Sequence, residues 1–397
     1  MNILFITPYL PSETSGHAGA QLIYRNVRAL SKFNKITIAS FIDQYENQMS
    51  QKLSSLGTDV HTIKYPRNQK SISGKILSGF RNIKPVISYI LGKEPFFIAK
   101  YYKAAMNELI AKLTSSNSFD LIQVEYNVMH HYTNLFDHTK SLIVFHDVST
   151  KMYESGALVG NKSNKRLFQL AKKVESNIAN KFDSVVVLTE EDKHYLLKLG
   201  CKKDIHIIPP QIKKIEKSRS NKVENSICFI GSFNREPNIN AIEIFIDSIF
   251  PNLDKKITFN IAGKGLPNNI VSKISIYDKI NYLGFIDDID SFLASQMLMV
   301  APINIGSGLK MKIPHSLSCG TPVITTSIGG EGINVNKDAG LVKSEINYFA
   351  KEINELMNDQ KTLIKMGEYG KNEVNSLFSE QIITEKFQTL YKSIVKI

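Results

Sequence analysis

The sequence predicts an α/β protein built from two Rossmann-like domains, each a parallel sheet covered by helices. Three observations predict it. Short apolar, β-branched runs alternate with longer stretches of helical periodicity along most of the 397 residues. The runs are continuously apolar, as strands buried on both faces must be. The alternation stops once, in a polar stretch opened by Pro209 and Pro210, and then restarts.

In the first half the strand-like runs fall at 3–7, 36–40, 59–63, 121–125, 142–146, 185–189 and 206–209. Helical stretches lie between most of them, at 20–33, 96–113, 165–181 and 190–199. This predicts a first domain over 1–210. Residues 211–225 are rich in Lys and Ser and read as an interdomain linker. A second domain is predicted over 226–378, with strands at 227–231, 257–263, 280–283, 297–302, 322–326 and 340–342. Its helices are expected at 238–250, 288–294, 309–319, 348–358 and 361–376. A last helix over 380–395 sets Ile382, Ile383, Phe387, Leu390, Tyr391 and Ile394 along one stripe, which marks an amphipathic helix packed on a domain. Residues 379–397 are grouped with the first domain, to which such a helix would cross back; the pattern itself leaves the covered domain open. Ligands of open α/β sheets bind outside the carboxyl ends of the strands, so a cleft between two facing domains is expected to hold the site.

Composition narrows the classes. Hydrophobic residues make up 43% and charged residues 22%, enough apolar surface for sizeable cores, which excludes a disordered chain. Net charge is +12 and favours anionic partners. Much of the excess lies between His61 and Lys112, where Lys64, Arg67, Lys70, Lys75, Arg81, Lys84, Lys93, Lys100, Lys103 and Lys112 face only Glu94 and Glu108. Within that segment Ile72, Ile76, Leu77, Phe80, Ile83, Ile87 and Ile90 recur at roughly helical spacing. Two readings stand: a solvated helix pair, or peripheral contact with an anionic membrane. Nucleic acid is disfavoured, because no aromatic platforms interleave with the charges. Cys201, Cys228 and Cys319 are isolated and odd in number, which argues against a disulfide framework and a zinc site and for a reducing compartment. The opening residues read as a strand, no apolar run reaches membrane-spanning length, and a cytoplasmic location is expected, at the inner face of the cell membrane if the basic segment docks there.

Residues 301–332 carry the most chemistry. A strand ends at Pro302, Gly306, Ser307 and Gly308 follow, a helical pattern begins near Lys310, and Gly320 caps it before a new strand. A glycine turn opening a helix presents free N–H groups to an anion. Lys310 and Lys312 add two cations, which repel the helix dipole by a few tenths of a kcal/mol or more unless an anion is bound. The competing reading is a plain strand–turn–helix with solvated lysines. Pro314 is tolerable only in the first turn, so the helix should start near Lys310. The dinucleotide fingerprint fails: after Gly263 and Gly265 the third glycine is replaced by Asn268, and no acidic residue stands where a ribose contact would be. No Walker loop, H-E-x-x-H or G-x-S-x-G is present.

The run of Gly306, Gly308, Lys310, Lys312, Ile313, Ser316, Leu317, Ser318, Gly320, Pro322, Val323 and Ile324 resembles the donor-nucleotide segment of the retaining family-4 glycosyltransferases of GT-B fold. Two further stretches are similar to that family. One is Gly231, Ser232, Arg235, Pro237 and Asn238 with Ala241, Phe245 and Pro251; the other is Gly263, Lys264 and Gly265 followed by Gly284, Ile286 and Asp288. The likeness is specific in the second domain. In the first it is loose, resting on residues 5–11 and on Gly16, His17 and Gly19. The chain departs from the pattern at the family's acidic pair. His315 replaces the glutamate that contacts ribose, and Asn304 and Ile305 fall at the other position; Ser232 and Pro237 stand where many members carry Arg and Lys.

The resemblance implies a metal-independent hexosyltransferase acting on a nucleoside-diphosphate sugar, with no cofactor and with a glycan or lipid-linked acceptor, in polysaccharide or glycoconjugate biosynthesis. It implies a donor site from Gly19, Gly231, Ser232, Arg235, Gly263, Lys264, Ile286, Gly306, Ser307, Gly308, Lys310, Lys312, His315 and Glu331. His146, at a strand end, would approach the donor sugar, with Lys310 and Lys312 stabilising the leaving diphosphate. Glu125 and His17 would meet the acceptor. Beside these stand blander readings: a strand-end histidine on a local carbonyl for His146, a surface carboxylate for Glu125, a solvated loop residue for Arg235. The missing carboxylates keep open a non-catalytic nucleotide-sugar or glycan-binding relative, and the architecture keeps open a sugar-nucleotide epimerase.

Overall fold

A computed structural model describes residues 1–396 apart from 16, 44–45, 66–81, 137, 159–161 and 216–220. Gly16, Arg67, Lys70, Ile72, Lys75, Ile76, Leu77, Phe80 and Arg81 therefore lie outside the described residues, as does part of the expected linker. The chain divides into two units, Met1–Gln211 with Ile383–Ile397, and Ile212–Ile382. Each is a parallel sheet between helices, so the predicted fold class holds.

In the first unit the strands are β1 (Asn2–Thr7), β2 (Lys35–Ile42), β3 (Asp59–Lys64), β4 (Leu121–Glu125), β5 (Lys140–Phe145), β6 (Ser184–Val187) and β7 (Asp204–Ile207), in the order 3-2-1-4-5-6-7. All described pairings are parallel. Side chains alternate across a strand, and in β1 both sets are buried. Leu4 and Ile6 pack with Met106, Ile110 and Phe182 on one face; Ile3 and Phe5 pack with Ile23 and Val27 on the other. The second face is completed by Ile383, Phe387, Leu390 and Tyr391 from the C-terminal helix Glu380–Val395. That settles which unit the amphipathic stripe covers.

The second unit carries β8 (Ser226–Ile230), β9 (Thr258–Ala262), β10 (Ile280–Gly284), β11 (Leu298–Ala301), β12 (Val323–Thr325) and β13 (Leu341–Lys343), in the order 10-9-8-11-12-13. Its core includes Ile212 and Ile215, buried against the sheet's helices, and Ile212 N–H donates to Phe378 O at 3.0 Å. The start of the stretch read as a linker is thus part of the second unit: its two isoleucines, spaced among lysines, supply enough apolar surface to dock.

The expected helix over 96–113 is two helices, Phe96–Ala99 and Ala104–Ser116. Tyr132 interrupts it. Its hydroxyl donates to Tyr101 O and accepts from Lys103 N–H, satisfying the backbone groups that a continuous helix would have paired. The helix over 238–250 begins earlier, as Glu236–Ile244, and runs on through a wider π turn, Phe245–Ile249, into a 3-10 turn at Phe250–Asn252, where Pro251 has no N–H to continue it. Helices at Asn47–Ser54, Ile83–Ile90, Ser149–Leu158 and Asn268–Ile274 were not delimited by the sequence pattern. No described helix is long and apolar enough to cross a membrane.

Phe387, 2% exposed, is the largest apolar anchor of the C-terminal helix besides Tyr391. Phe387→Ala should cost about 3–5 kcal/mol, read as a lowered urea midpoint at unchanged m-value. An unchanged midpoint would mean that the helix contributes nothing to that core.

Candidate functional site

In the second sheet β8 and β11 are neighbours, and the chain runs outward from them in opposite directions. The loops leaving their carboxyl ends diverge, which opens a crevice at this switch point. Gly231, Ser232 and Arg235 follow β8, Gly263 and Lys264 follow β9, and Gly306, Ser307, Gly308 and Lys310 follow β11. The structure thus brings most of the expected donor residues to one end of one sheet. A groove of about 400 Å³ lined by Phe250, Asp254, Tyr277 and Lys279 lies at the opposite, amino-terminal end of β9 and β10 and is not a candidate on this ground.

Lys312 is the centre of this cluster. It opens the seven-residue helix Lys312–Ser318, two residues later than expected, with Pro314 in the first turn, where its missing N–H has no partner to lose. Its ammonium lies 4.0 Å from the Phe229 ring centroid and donates to Asn238 Oδ1 at 2.6 Å. Asn238 Nδ2 in turn donates to Ser232 O at 2.7 Å, which fixes the amide's direction. Among the described residues no carboxylate pairs with Lys312. Burial without a counter-charge pushes its pKa down to about 7. Lys222 shows the contrast. Also buried, with its pKa lowered to about 8, it donates to Gln296 O, Gly320 O and Thr321 Oγ1 and serves the frame. Lys312 has one neutral acceptor, next to glycines: a Cβ on Gly231 would stand 3.0 Å from its Nζ.

The glycine at 263 has a packing reason of its own. A Cβ there would overlap Gly231 O at 1.7 Å, so the ends of β8 and β9 close on each other only with glycine. The loop after β11 holds Gly306 and Gly308 at φ +117° and +72°. Two threonines at the end of β12 pin its base: Thr325 Oγ1 donates to Ala301 O at 2.7 Å, and Thr326 Oγ1 donates to Ile303 O. Lys310 precedes the helix rather than lying in its first turn. It donates to Gly308 O at 2.7 Å and pairs with Glu331 at 3.3 Å, both side chains nearly buried. Glu331, expected as a donor contact, is a counter-ion here.

Other expected donor residues are differently engaged. His315 Nε2 is 2.7 Å from Asp290 Oδ1, and this hydrogen bond is the main reason the Asp290 carboxyl is pulled down to about 2. Ser232 Oγ donates to Asn234 Oδ1 at 2.6 Å. Arg235 is exposed ahead of Glu236–Ile244, the Lys264 ammonium sits 4.1 Å from the Phe285 ring, and Ile286 packs against the core. Ser307 is half-buried.

The first unit has its own switch point, between β1 and β4. His146 follows β5 directly, and its Nε2 lies 2.7 Å from Glu125 Oε2. Glu125 is corrected here: expected to meet an acceptor, it is fully buried, and its Oε1 accepts from Gln123 Nε2 at 2.6 Å. Strand alternation puts Gln123 and Glu125 on the face that the C-terminal helix covers. Tyr126 stacks on His146, centroids 3.9 Å apart and planes 5° apart, from a strained φ of +68°. His17 is committed to a stack on Tyr9, at 3.7 Å. Gly19, expected at the donor, makes room for protein instead: a Cβ there would lie 1.6 Å from Tyr126 Oη. Asn238, Gln123, Tyr126 and Tyr391 were missed; the only sequence signal for Tyr126 is its place just past a strand at the switch point.

Among the described residues, two groups bring metal-capable atoms within 4.8 Å of one another, Glu94 with His130 and His131, and Asp290 with His315 and Cys319. Each is internally hydrogen-bonded with a lysine against it. Lys181 Nζ is 3.3 Å from His130 Nδ1, and Lys213 Nζ is 3.2 Å from Asp290. An ammonium at that place disfavours a bound cation.

Residues 224–359 match the family "Glycosyl transferases group 1". The chain is 22% identical over 313 residues, 73% of each protein, to an uncharacterised 44.6 kDa protein of the cps region of Klebsiella pneumoniae. It is 33% identical over 78 residues to the capsular polysaccharide biosynthesis glycosyltransferase CapM of Staphylococcus aureus, a match spanning 19% of this chain and 20% of that one. Among solved structures, Anabaena Alr3699/HepE in complex with UDP is similar at a TM-score of 0.69 and 15% identity, over 99% of this chain and 100% of that one. The fold is GT-B, and the second unit carries the glycosyl transferases group 1 match. These findings support a glycosyltransferase.

The depressed Lys312 pKa fixes a sign. Below about pH 7 the folded chain must keep the ammonium charged in a buried place, so the residue destabilises it; the penalty shrinks as pH rises and vanishes above about 10.5, where lysine is neutral in both states. Lys312→Met should therefore be more stable than the parent in urea at pH 6, by less at pH 9. A gain that grew with pH would contradict the burial.

Proposed function

We propose that this chain transfers a sugar, with retention and without a metal, from a nucleoside-diphosphate sugar to a glycan or lipid-linked acceptor in polysaccharide biosynthesis. The observation that carries the reading is the Lys312 ammonium, half-buried at the carboxyl end of β8 and β11 against an aromatic face and a neutral amide, with no carboxylate paired to it among the described residues. A diphosphate supplies the missing negative charge. Lys310, released from Glu331 or shared with it, adds the second cation beside Gly306 and Gly308. Negative charge grows on the diphosphate as the sugar–oxygen bond breaks, so a fixed ammonium in a dry place favours the transition state over the ground state. His146 of the first unit is assigned to a sugar hydroxyl only as the resemblance implies; its Nδ1 has no hydrogen-bond partner. The UDP in the Anabaena structure makes uridine nucleotides the first to try, and the capsule names of the relatives favour a polysaccharide.

The second reading is a nucleotide-sugar-binding relative without turnover. What favours it is His315, which stands at a family glutamate position and is held by Asp290. Release of free nucleotide from a sugar donor separates the two: slow hydrolysis supports the transferase, and tight binding without release supports the binding protein.

Membrane contact is part of the proposal. The helix Ile83–Ile90 exposes Ile83, Val86, Ile87 and Ile90 at helical spacing, with Leu91 following and the exposed Lys84 and Lys93 beside them. An apolar stripe among cations suits an anionic lipid surface.

Two measurements test these statements. In a thermal-shift screen of nucleoside diphosphates and their sugars, a ligand at 100 times its Kd adds roughly 2.7 kcal/mol. Lys312→Met should weaken the best ligand about 10–100-fold at pH 6, the worth of one charge-assisted hydrogen bond. In the parent, affinity for a nucleotide sugar should fall as pH rises above about 7, and the variant should lack that slope. Parent-like binding in the variant would remove the mechanism. For the surface, the chain should sediment with phosphatidylglycerol vesicles and not with phosphatidylcholine, and Ile87→Asp with Ile90→Asp should abolish it. Equal sedimentation with both lipids would refute the charge argument.

A further inference from the structure

A line of buried hydrogen bonds joins the C-terminal helix to His146. The Tyr391 hydroxyl donates to Gln123 Oε1. The Gln123 amide donates from Nε2 to Glu125 Oε1, and Glu125 Oε2 meets His146 Nε2. Gln123, Glu125 and Tyr391 are each 0% exposed, so no water competes for these groups. Gln123 and Tyr391 are 268 residues apart in sequence.

Each bond fixes the direction of the next. Tyrosine O–H, held neutral because burial raises its pKa well above 10, donates, so the Gln123 oxygen must face it. The amide nitrogen then faces Glu125. A carboxylate only accepts, so the hydrogen between Glu125 and His146 belongs to the imidazole Nε2. A neutral ring with hydrogen on Nε2 keeps its lone pair on Nδ1, the atom that is buried and unpartnered. Tyr126 stacks flat on the ring and limits its rotation.

We propose that Glu125, held in place by Gln123 and Tyr391, is a positioning residue that locks His146 in the Nε2–H tautomer and so keeps its Nδ1 a hydrogen-bond acceptor. The use of Nδ1 rests on the transferase reading; the locked tautomer does not. The relay explains why two polar residues of β4 share the face that the C-terminal helix covers, where apolar side chains would otherwise pack.

Nitrogen-15 NMR of histidine-labelled protein tests it, with His146 assigned by its loss in His146→Gln. The parent should show the Nε2–H tautomer. Glu125→Gln should invert it. The new side chain must accept from Gln123 on its oxygen and therefore present its amide hydrogens to His146 Nε2, which moves the ring hydrogen to Nδ1. Tyr391→Phe, which removes one hydroxyl and keeps the ring, leaves the carboxylate against Nε2 and should keep the Nε2–H form by itself; added to Glu125→Gln it frees both amides to reverse and should give a mixture. A parent in the Nδ1–H form, or a Glu125→Gln variant that keeps the Nε2–H form, overturns the relay. If Glu125→Gln does not fold, the tautomer of the parent alone decides. Activity is a separate readout: kcat for nucleotide release should fall about 10-fold or more in Glu125→Gln, as for other residues that orient a reacting imidazole, with KM for the donor little changed. Inverted tautomers with no donor turnover in the parent would sink the transferase reading and leave the relay standing.

Discussion

Both sheets are parallel and covered on both faces, and this constraint shapes everything else. A strand such as β1, with Ile3 to Ile6 all fully buried, has no place for a polar side chain except where it ends. Polar chemistry therefore gathers at the carboxyl ends, and within each sheet at the two strands from which the chain departs in opposite directions, with Gln123 inside β4 kept only because Tyr391 and Glu125 satisfy its amide. Lys312 and its neighbours stand at one such point, and His146 and Tyr126 stand near the other.

Electrostatics separates the lysines that serve the frame from the one that does not. Lys222 spends its three donors on backbone and threonine oxygens, and Lys310 has a carboxylate beside it. Lys312 has an aromatic face and one neutral amide. Desolvating an ammonium without a counter-charge is costly. A fold retains such a cost most readily where a ligand removes it, as the proposed diphosphate would.

In the first unit the same burial that excludes Glu125 from direct work gives it an indirect one. Both its oxygens are engaged, one by an amide whose direction is set from the C-terminal helix. That helix docks through Phe387 and Tyr391, and Tyr391 carries both an apolar ring for the core and a hydroxyl for the polar line. Packing and orientation are thus done by one residue, and strain at Tyr126 accompanies them.

The sequence by itself determined the two-sheet α/β plan, since period and apolar continuity follow from burial on both faces, and most strands lie within a few residues of where the pattern put them. It also marked the 306–312 segment, because glycines and lysines after an apolar strand have few other uses. It did not reveal that Ile212 and Ile215 dock, that Tyr132 breaks a helix, or that Gly19 makes way for a tyrosine, since each depends on a partner distant in the chain. Nor did it separate Lys310 from Lys312, two residues apart with the same chemistry. Only the tertiary structure set Glu331 against one and Asn238 against the other, because a charge is defined by its neighbours in space. Likewise Gln123 and Glu125 read as strand residues until Tyr391, brought back from the far end of the chain, gave their hydrogen bonds a direction.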